Sequence, residues 1–262
     1  SNPMLRCLLF MIICSRCIAV SPLKIFAGMG WEWRAFFHGD LRGNFQNHIN
    51  STMPNLLNRY PESEAEERYD VYACIEESVG YKVRGDEQSE LLEVKTRLER
   101  KKRGAEQWQK ELIPRQANSK GVYPTLANDV KALLKSDGRE INSVSEVKLD
   151  KSRIIYRVYH SGTREPDEKY KGVSVECTLI KTTSGAKFTS ICVEHSKHAD
   201  KIYSVIEELK LSEFERERLI VCQEADQAQK SWLSVACMGY PGFVKFLSDH
   251  QNGARHGAMS HD

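Results

Sequence analysis

Charged side chains recur at every second position in several short segments of the chain, each time with apolar residues between them. Trp31, Trp33 and Phe37 alternate with Glu32 and Arg34, and Tyr81 and Val83 alternate with Lys82 and Arg84. Leu92, Val94 and Leu98 alternate with Glu93, Lys95, Arg97 and Glu99. Farther along, Ile154, Tyr156 and Val158 alternate with Arg153 and Arg157, while Ser190 and Cys192 share a face with Glu194. Successive side chains of a strand point to opposite faces, so each segment carries one apolar and one charged face. Taken singly, such strands are what a half-solvated antiparallel sheet shows. Taken together, basic residues at i, i+2 in three strands, with carboxylates at the ends of the series, suit a barrel whose charged face points inward. Arg and Lys from opposing walls would each meet an oxygen of a compact polyanion such as a chain of phosphates. Carboxylates would be repelled by that polyanion. Their role there is to bind a divalent cation, which neutralises phosphates and polarises the bond to be cut.

The elements that must carry these residues read mostly as strands. Trp31 to Phe37 is the first; after a polar loop come Tyr69 to Ile75, Val79 to Arg84, Leu91 to Glu99 and Ala105 to Glu111. A helix over Asn128 to Lys135, stopped by Asp137-Gly138, precedes strands at Val147 to Tyr159, Gly172 to Thr182 and Lys187 to Glu194. Helices are expected over Ala199 to Leu209, Glu213 to Gln229 and Pro241 to Leu247. Eight strands with few helices point to an α+β fold built on a closed or nearly closed antiparallel barrel, or to a sandwich.

Composition bounds the partners. The 262 residues hold 38 Lys plus Arg against 36 Asp plus Glu, and 40% are hydrophobic, ordinary for a globular chain. Residues 1–28 hold Arg6, Arg16 and Lys24 and no acid, so the body carries 35 basic against 36 acidic residues. A near-neutral body does not suit long nucleic acid held by charge, so any polyanion site must be local. Residues 1–28 read as a leader or targeting segment outside the fold, too short and too broken at Arg16 to span a membrane. With Met29 as the true start, the protein would be cytoplasmic; with the leader, organellar. Cys74, Cys177, Cys192, Cys222 and Cys237 form an odd, widely spaced set, which suits an intracellular, reducing compartment. Cys14-Ser-Arg-Cys17 has no second pair near it to complete a zinc site. Residues 29–249 are expected to form the domain and 250–262, with His256 and His261, a disordered tail.

The order of these segments resembles the CYTH domain, the triphosphate tunnel metalloenzymes that include thiamine triphosphatases, inorganic triphosphatases and class IV adenylyl cyclases. Gly30-Trp-Glu32-Trp-Arg34 occupies the place of its opening Glu-x-Glu-x-Lys strand. Val79-Gly-Tyr-Lys82-Val-Arg84, Leu92-Glu93-Val-Lys95 and Lys151-Ser-Arg153 resemble its basic strands. Glu176 in Val175-Glu-Cys-Thr178 and Glu194 in Ile191-Cys-Val-Glu194 resemble its late acidic strands, and Tyr240 to Leu247 its closing helix. The resemblance implies an eight-stranded tunnel with helices packed outside it. A triphosphate-containing small molecule would lie along Arg34, Lys82, Arg84, Lys95, Arg153 and Arg157, with Lys95 and Arg153 as catalytic residues. Mg²⁺ or Mn²⁺ would rest on Glu32, Glu176 and Glu194, with Glu93 as a further ligand or an orienter of Lys95.

The departures are Gly30 for the first Glu, Arg34 for the Lys, and Cys192 in the last Glu-x-Glu. They leave open a non-catalytic tunnel that binds polyphosphate or a nucleotide, or that serves as a structural subunit. A third alternative is a lipocalin-like barrel with an apolar interior and the charges facing out. His195 and His198 read as a hydrogen-bonded surface pair, the segment from Arg97 to Arg103 as an exposed hairpin turn or a guide for anions to a tunnel mouth, and Glu62 to Arg68 and Glu213 to Arg218 as charged runs on helix faces or in solvated loops.

Overall fold

The computed structural model describes residues 23–54, 56–58, 65–85, 89–158, 167–215 and 238–257. Its strands are β1 (Ile25–His38), β2 (Leu56–Asn58), β3 (Glu66–Glu76), β4 (Val79–Arg84), β5 (Leu91–Arg100), β6 (Glu106–Pro114), β7 (Ser145–Val158), β8 (Val173–Thr182) and β9 (Lys187–His195). The helices are α1 (Arg42–Thr52), α2 (Leu126–Ser136), α3 (Ala199–Glu208) and α4 (Tyr240–Gly257). The strands form one sheet in the order β2-β7-β3-β4-β5-β6-β1-β9-β8, and pairing of β7 with β8 closes eight of them into an antiparallel barrel. The short β2 is an appendage on β7.

The period of two divides the strand residues as their chemistry requires. On the outer face, Trp31, Trp33 and Ala35 of β1 join Tyr156, Val173, Val175, Cys177, Ile191 and Val193 in a cluster covered by Phe45 and Ile49 of α1 and Ile202, Val205 and Ile206 of α3. A second outer cluster sets Val71, Ala73, Tyr81, Val83, Leu92 and Val94 against Leu126, Val130, Leu133 and Leu134 of α2. The alternate positions face the bore, as the pairs Lys82 with Glu93 and Lys95 with Lys110, and Glu32 with Glu194, require. The bore is not uniform. Toward one end its inward positions become apolar, and Phe36, Tyr72, Val147, Leu149, Ile180 and Phe188 pack on Tyr240, Phe243, Val244 and Leu247 of α4. This helix therefore closes that end.

The structure differs from the sequence expectation at several boundaries. β1 starts at Ile25, inside the segment expected to be a leader, because Ile25 to Met29 hydrogen-bond along β6 although they bury little. Residues 1–22, with the Cys14–Cys17 spacing, lie outside the described residues. The polar loop after β1 is instead the helix α1; its Asn-rich sequence is a poor helix former, and only Phe45 and Ile49, four apart, are buried to hold it. α2 begins at Leu126 with Thr125 as its cap, whose side chain accepts from the Asn128 N–H, two residues earlier than the Asn-Asp start predicts. It stops as expected, with Gly138 in the left-handed region at φ 76°. α4 continues to Gly257, so the expected start of the tail at 250 falls within a helix whose apolar signal ends at Leu247. Residues 216–237, which include most of the expected Glu213–Gln229 helix as well as Cys222 and Cys237, and residues 258–262, with His261, lie outside the described residues. No helix among the described residues is long and apolar enough to cross a membrane.

Candidate functional site

The half of the bore that α4 leaves open is a cavity of about 420 Å³. Its wall includes Arg34, Lys82, Arg84, Lys95, Arg153 and Arg157 together with Glu32, Glu93, Glu176 and Glu194, so all ten residues singled out from the strand pattern and the resemblance meet in one space. They come from six strands that range from the first to the last of the sheet in chain order, and barrel closure alone brings them together. The inward placement of Lys82 and Glu93, both largely buried, excludes the barrel with an apolar interior.

Arg68 and Lys110 also reach the cavity. Eight basic side chains thus face four carboxylates, an excess of four positive charges in a confined volume. Sequence reasoning placed Arg68 in a charged run on a helix face or in a solvated loop; the signal against that was its alternation with Glu66 and Asp70 on one face of β3. Lys110 shares the inward face of β6 with Glu106 and Trp108 in the same way. Tyr240, from the first turn of α4, forms the inner limit of the cavity, with the Arg34 guanidinium 4.4 Å from its ring centre.

The carboxylates are not equivalent. Glu93 is surrounded by cations: Lys82 Nζ and Lys110 Nζ each stand at 2.9 Å and Arg84 at 3.4 Å. Burial would raise its pKa, but Lys82 and then Lys110 outweigh that and hold it well below the usual carboxylate range. Glu176 accepts from Arg34 and Arg153, both at 3.1 Å, and from the Thr178 hydroxyl at 3.0 Å. Its pKa too is driven far down against the opposing effect of burial, chiefly by the two arginines. These two residues act as anchors that fix the basic side chains in the cavity wall. Glu93 does not orient Lys95, whose ammonium reaches over the neighbouring strand β6 to donate to Glu32 of β1 at 2.6 Å.

Glu32 and Glu194 remain. Glu194 accepts from Ser174 Oγ at 2.9 Å. Glu32 gives one oxygen to Lys95, while its Oε1 is buried and accepts no hydrogen bond, the Arg34 Nε lying 3.6 Å away. One potential ligand atom from each of Glu32, Glu194 and Cys192 lies within 4.8 Å of those of the other two. This is the one such group among the described residues, and its third donor is sulfur. Mg²⁺ requires oxygen ligands. The four carboxylates expected as a shell, Glu32, Glu176, Glu194 and Glu93, do not converge on one point: arginine and lysine engage Glu93, Glu176 and Glu32, and a thiol stands where a further carboxylate is expected.

Two further expectations change. Lys151, in the basic pair Lys151-Ser-Arg153, is wholly buried below the cavity, paired with Asp70 at 3.1 Å and hydrogen-bonded to the Tyr72 hydroxyl. His195 is buried rather than exposed: its Nδ1 accepts from the N–H groups of Lys197 and His198, so Nε2 carries the proton toward the Lys171 carbonyl at 3.2 Å. That arrangement shapes the turn into α3. Of the hairpin turn expected from Arg97 to Arg103, Arg97 to Arg100 still belong to β5, with Arg97 tied to Glu106 at 2.8 Å, and the turn begins at Lys101.

No family model and no curated protein matches the chain. Among solved structures it is similar to a conserved hypothetical protein of Pyrococcus furiosus, with 17% identity over 68% of this chain and 90% of that one and a TM-score of 0.37. The PH1012 protein of Pyrococcus horikoshii gives 18% identity, the same coverage and a TM-score of 0.37. A candidate adenylate cyclase of Bacillus halodurans gives 9% identity, coverage of 70% and 91%, and a TM-score of 0.38. At these identities and TM-scores the likeness carries no functional argument, and the reading of the site rests on the cavity itself.

Proposed function

We propose that the barrel binds a compact triphosphate, inorganic or carried on a small organic group, and hydrolyses its terminal phosphoanhydride bond. The observation that supports this is the convergence of eight basic side chains on one cavity of about 420 Å³ with an excess of four positive charges. Such a surplus is unfavourable in a confined space unless a polyanion shares it. Arg34 and Arg153, held by Glu176, and Lys82 and Lys110, held by Glu93, present donors in fixed directions before a ligand arrives. Water would add to the terminal phosphorus, the anhydride bond would break, and orthophosphate would leave. The chain's contribution is positioning and stabilisation of charge on the departing phosphate oxygens, with Lys95 and Arg153 nearest in role to catalysis. A cation at Glu32 and Glu194 would supply further charge neutralisation.

A second reading, a tunnel that binds triphosphate without cutting it, is favoured by the engagement of Glu93 and Glu176 in ion pairs and by Gly30 and Cys192 at hallmark positions. The test is phosphate release from inorganic triphosphate, ATP and thiamine triphosphate, with divalent cation or chelator, beside a Lys95→Ala, Arg153→Ala double variant. Release that the double variant loses is the expected result. Absence of release with a triphosphate-dependent rise in melting temperature makes the protein a binding module, and absence of both overturns the reading.

A further inference from the structure

We propose that Tyr240 and Trp108 form the floor of a blind phosphoryl subsite, which takes the free terminal phosphate of a linear polyphosphate and turns away chains esterified at both ends or closed in a ring. This subsite rests on the triphosphate reading above and adds to it the direction in which the ligand enters. Tyr240 is the first residue of α4 and, at 8% exposure, still lines the cavity. Tyr72 stacks on its ring at 5.6 Å, Phe36 meets it edge-on at 5.4 Å, and the charged groups of Arg34 and Lys151 lie 4.4 Å and 3.7 Å from its centre. Its hydroxyl, by contrast, is buried and has no hydrogen-bond partner among the described residues. Burial pushes the pKa of that hydroxyl up, so it keeps its proton and can donate. The charges of Arg34, Glu176 and Arg68, all in the cavity wall, act on it.

Trp108, on the inward face of β6 and 3% exposed, lines the same cavity, and its indole N–H is likewise buried without an acceptor among the described residues. The chain entering α4 runs against it: a Cβ on Gly239, the residue before Tyr240, would stand 2.5 Å from Trp108 Cζ2. An indole N–H can only donate, and each unpaired buried donor costs free energy unless an acceptor comes to it. Glu176 is shared between Arg34 and Arg153, each at 3.1 Å, which leaves positive charge in surplus and makes an anionic oxygen the acceptor that suits the place. Among the described residues the bore behind Tyr240 is filled, by Phe243, Val244 and Leu247 of α4 and by Lys151, which is wholly buried. A ligand therefore enters by the open half and meets the floor with its leading end. A terminal phosphate leads with bare oxygens and satisfies both donors. A chain esterified at both ends leads with an uncharged organic group and strands them, and a ring has no terminal phosphate to offer.

The test is binding to the full chain, in chelator and again with Mg²⁺, read by melting temperature and calorimetric titration. The probes are inorganic triphosphate, ATP, diadenosine triphosphate and cyclic trimetaphosphate. The first two should bind at least about tenfold more tightly than the last two. These probes also differ in charge, so Tyr240→Phe supplies the decisive arm. Loss of an unpaired buried hydroxyl should leave the melting temperature of the free protein unchanged or higher, while affinity for inorganic triphosphate falls by about tenfold. Diadenosine triphosphate, which does not reach the floor, should keep its affinity. Trp108→Phe, which removes the indole N–H, should also weaken inorganic triphosphate and spare diadenosine triphosphate. A lower melting temperature for ligand-free Tyr240→Phe would show that the hydroxyl serves the fold. That result, undiminished triphosphate binding by either variant, or equal binding of all four probes overturns the subsite and leaves the triphosphate reading in place. Failure of inorganic triphosphate to bind the unaltered protein under either condition overturns both.

Discussion

The two halves of the bore share the same strands and the same inward positions but are organised by opposite physics. In the half closed by α4, Phe36 stacks on Phe243 with ring centres 4.0 Å apart, Tyr72 stacks on Tyr240 at 5.6 Å, and aliphatic side chains fill the remainder. In the other half the inward positions are Arg, Lys and Glu around open space. Where they meet, Lys151 and Asp70 are paired with complete burial, and the Lys151 ammonium lies 3.7 Å from the Tyr240 ring centre. The comparison teaches that closure of a barrel does not by itself produce a tunnel. One end has been given the area of a hydrophobic core, and the stability held there allows the other end to carry charges that would not pack on their own.

The sharpest way to break this comparison is at the seam. Lys151→Met removes the fully buried cation from the Asp70 carboxylate, leaving Arg68 Nε at 3.2 Å as its remaining ion pair, and should lower the unfolding free energy by about 3 kcal/mol in urea titration. A change below about 1 kcal/mol would mean that the seam does not hold the halves together. Phe243→Ala, in the closed half, should cost about 3 kcal/mol by the same measurement through the cavity it leaves. Gly80→Ala tests how tightly α4 is seated: an added Cβ would stand 2.6 Å from Pro241 Cγ, and the overpacking should cost about 1–3 kcal/mol.

Substitution in the open half should act on binding more than on stability. Lys95→Ala removes one charge-assisted hydrogen bond to Glu32 and should lower stability by about 1–2 kcal/mol, yet abolish the rise in melting temperature that triphosphate produces. A variant that loses stability but retains that rise would separate Lys95 from the ligand. The smallest effect is one of pH. Burial pulls the Lys82 ammonium down to about 8, against the raising influence of Glu93. Since this lies below the ordinary value of 10.5, the folded state binds fewer protons between these two values, and the contribution of Lys82 to stability rises as pH climbs through that window. Its charge is lost over the same range, so triphosphate affinity should decline as pH passes about 8, and Lys82→Met should flatten that decline. An affinity independent of pH in the unaltered protein would exclude Lys82 from the binding set.

Much of the site was legible because β-strand geometry is simple. A period of two needs no tertiary information, so spacing alone assigns Lys82 and Arg84, or Glu93 and Lys95, to one face of their strand. Arg68 was missed because its strand opens in a run of charges, Glu66-Glu-Arg68, where alternation against apolar residues begins only afterwards. α1 was missed because two buried residues, Phe45 and Ile49, do not make a periodic signal in a polar segment. That Lys95 shares a face with Glu93 was legible, but its partner was not: Glu32 lies 63 residues earlier and meets it over the intervening strand β6.

The sequence by itself determined the alternation of charge, the near-neutral body that confines any polyanion to a local site, and the presence of a cysteine where a carboxylate was expected. These are properties of neighbouring residues and of totals. Only the tertiary structure decided which face turned inward, which carboxylates are engaged by arginine and lysine, and that Cys192 meets Glu32 and Glu194. The register between β1 and β9 sets the last of these, and closure between β7 and β8 completes the bore. Both arise from contacts between segments far apart in the chain, which no local pattern encodes.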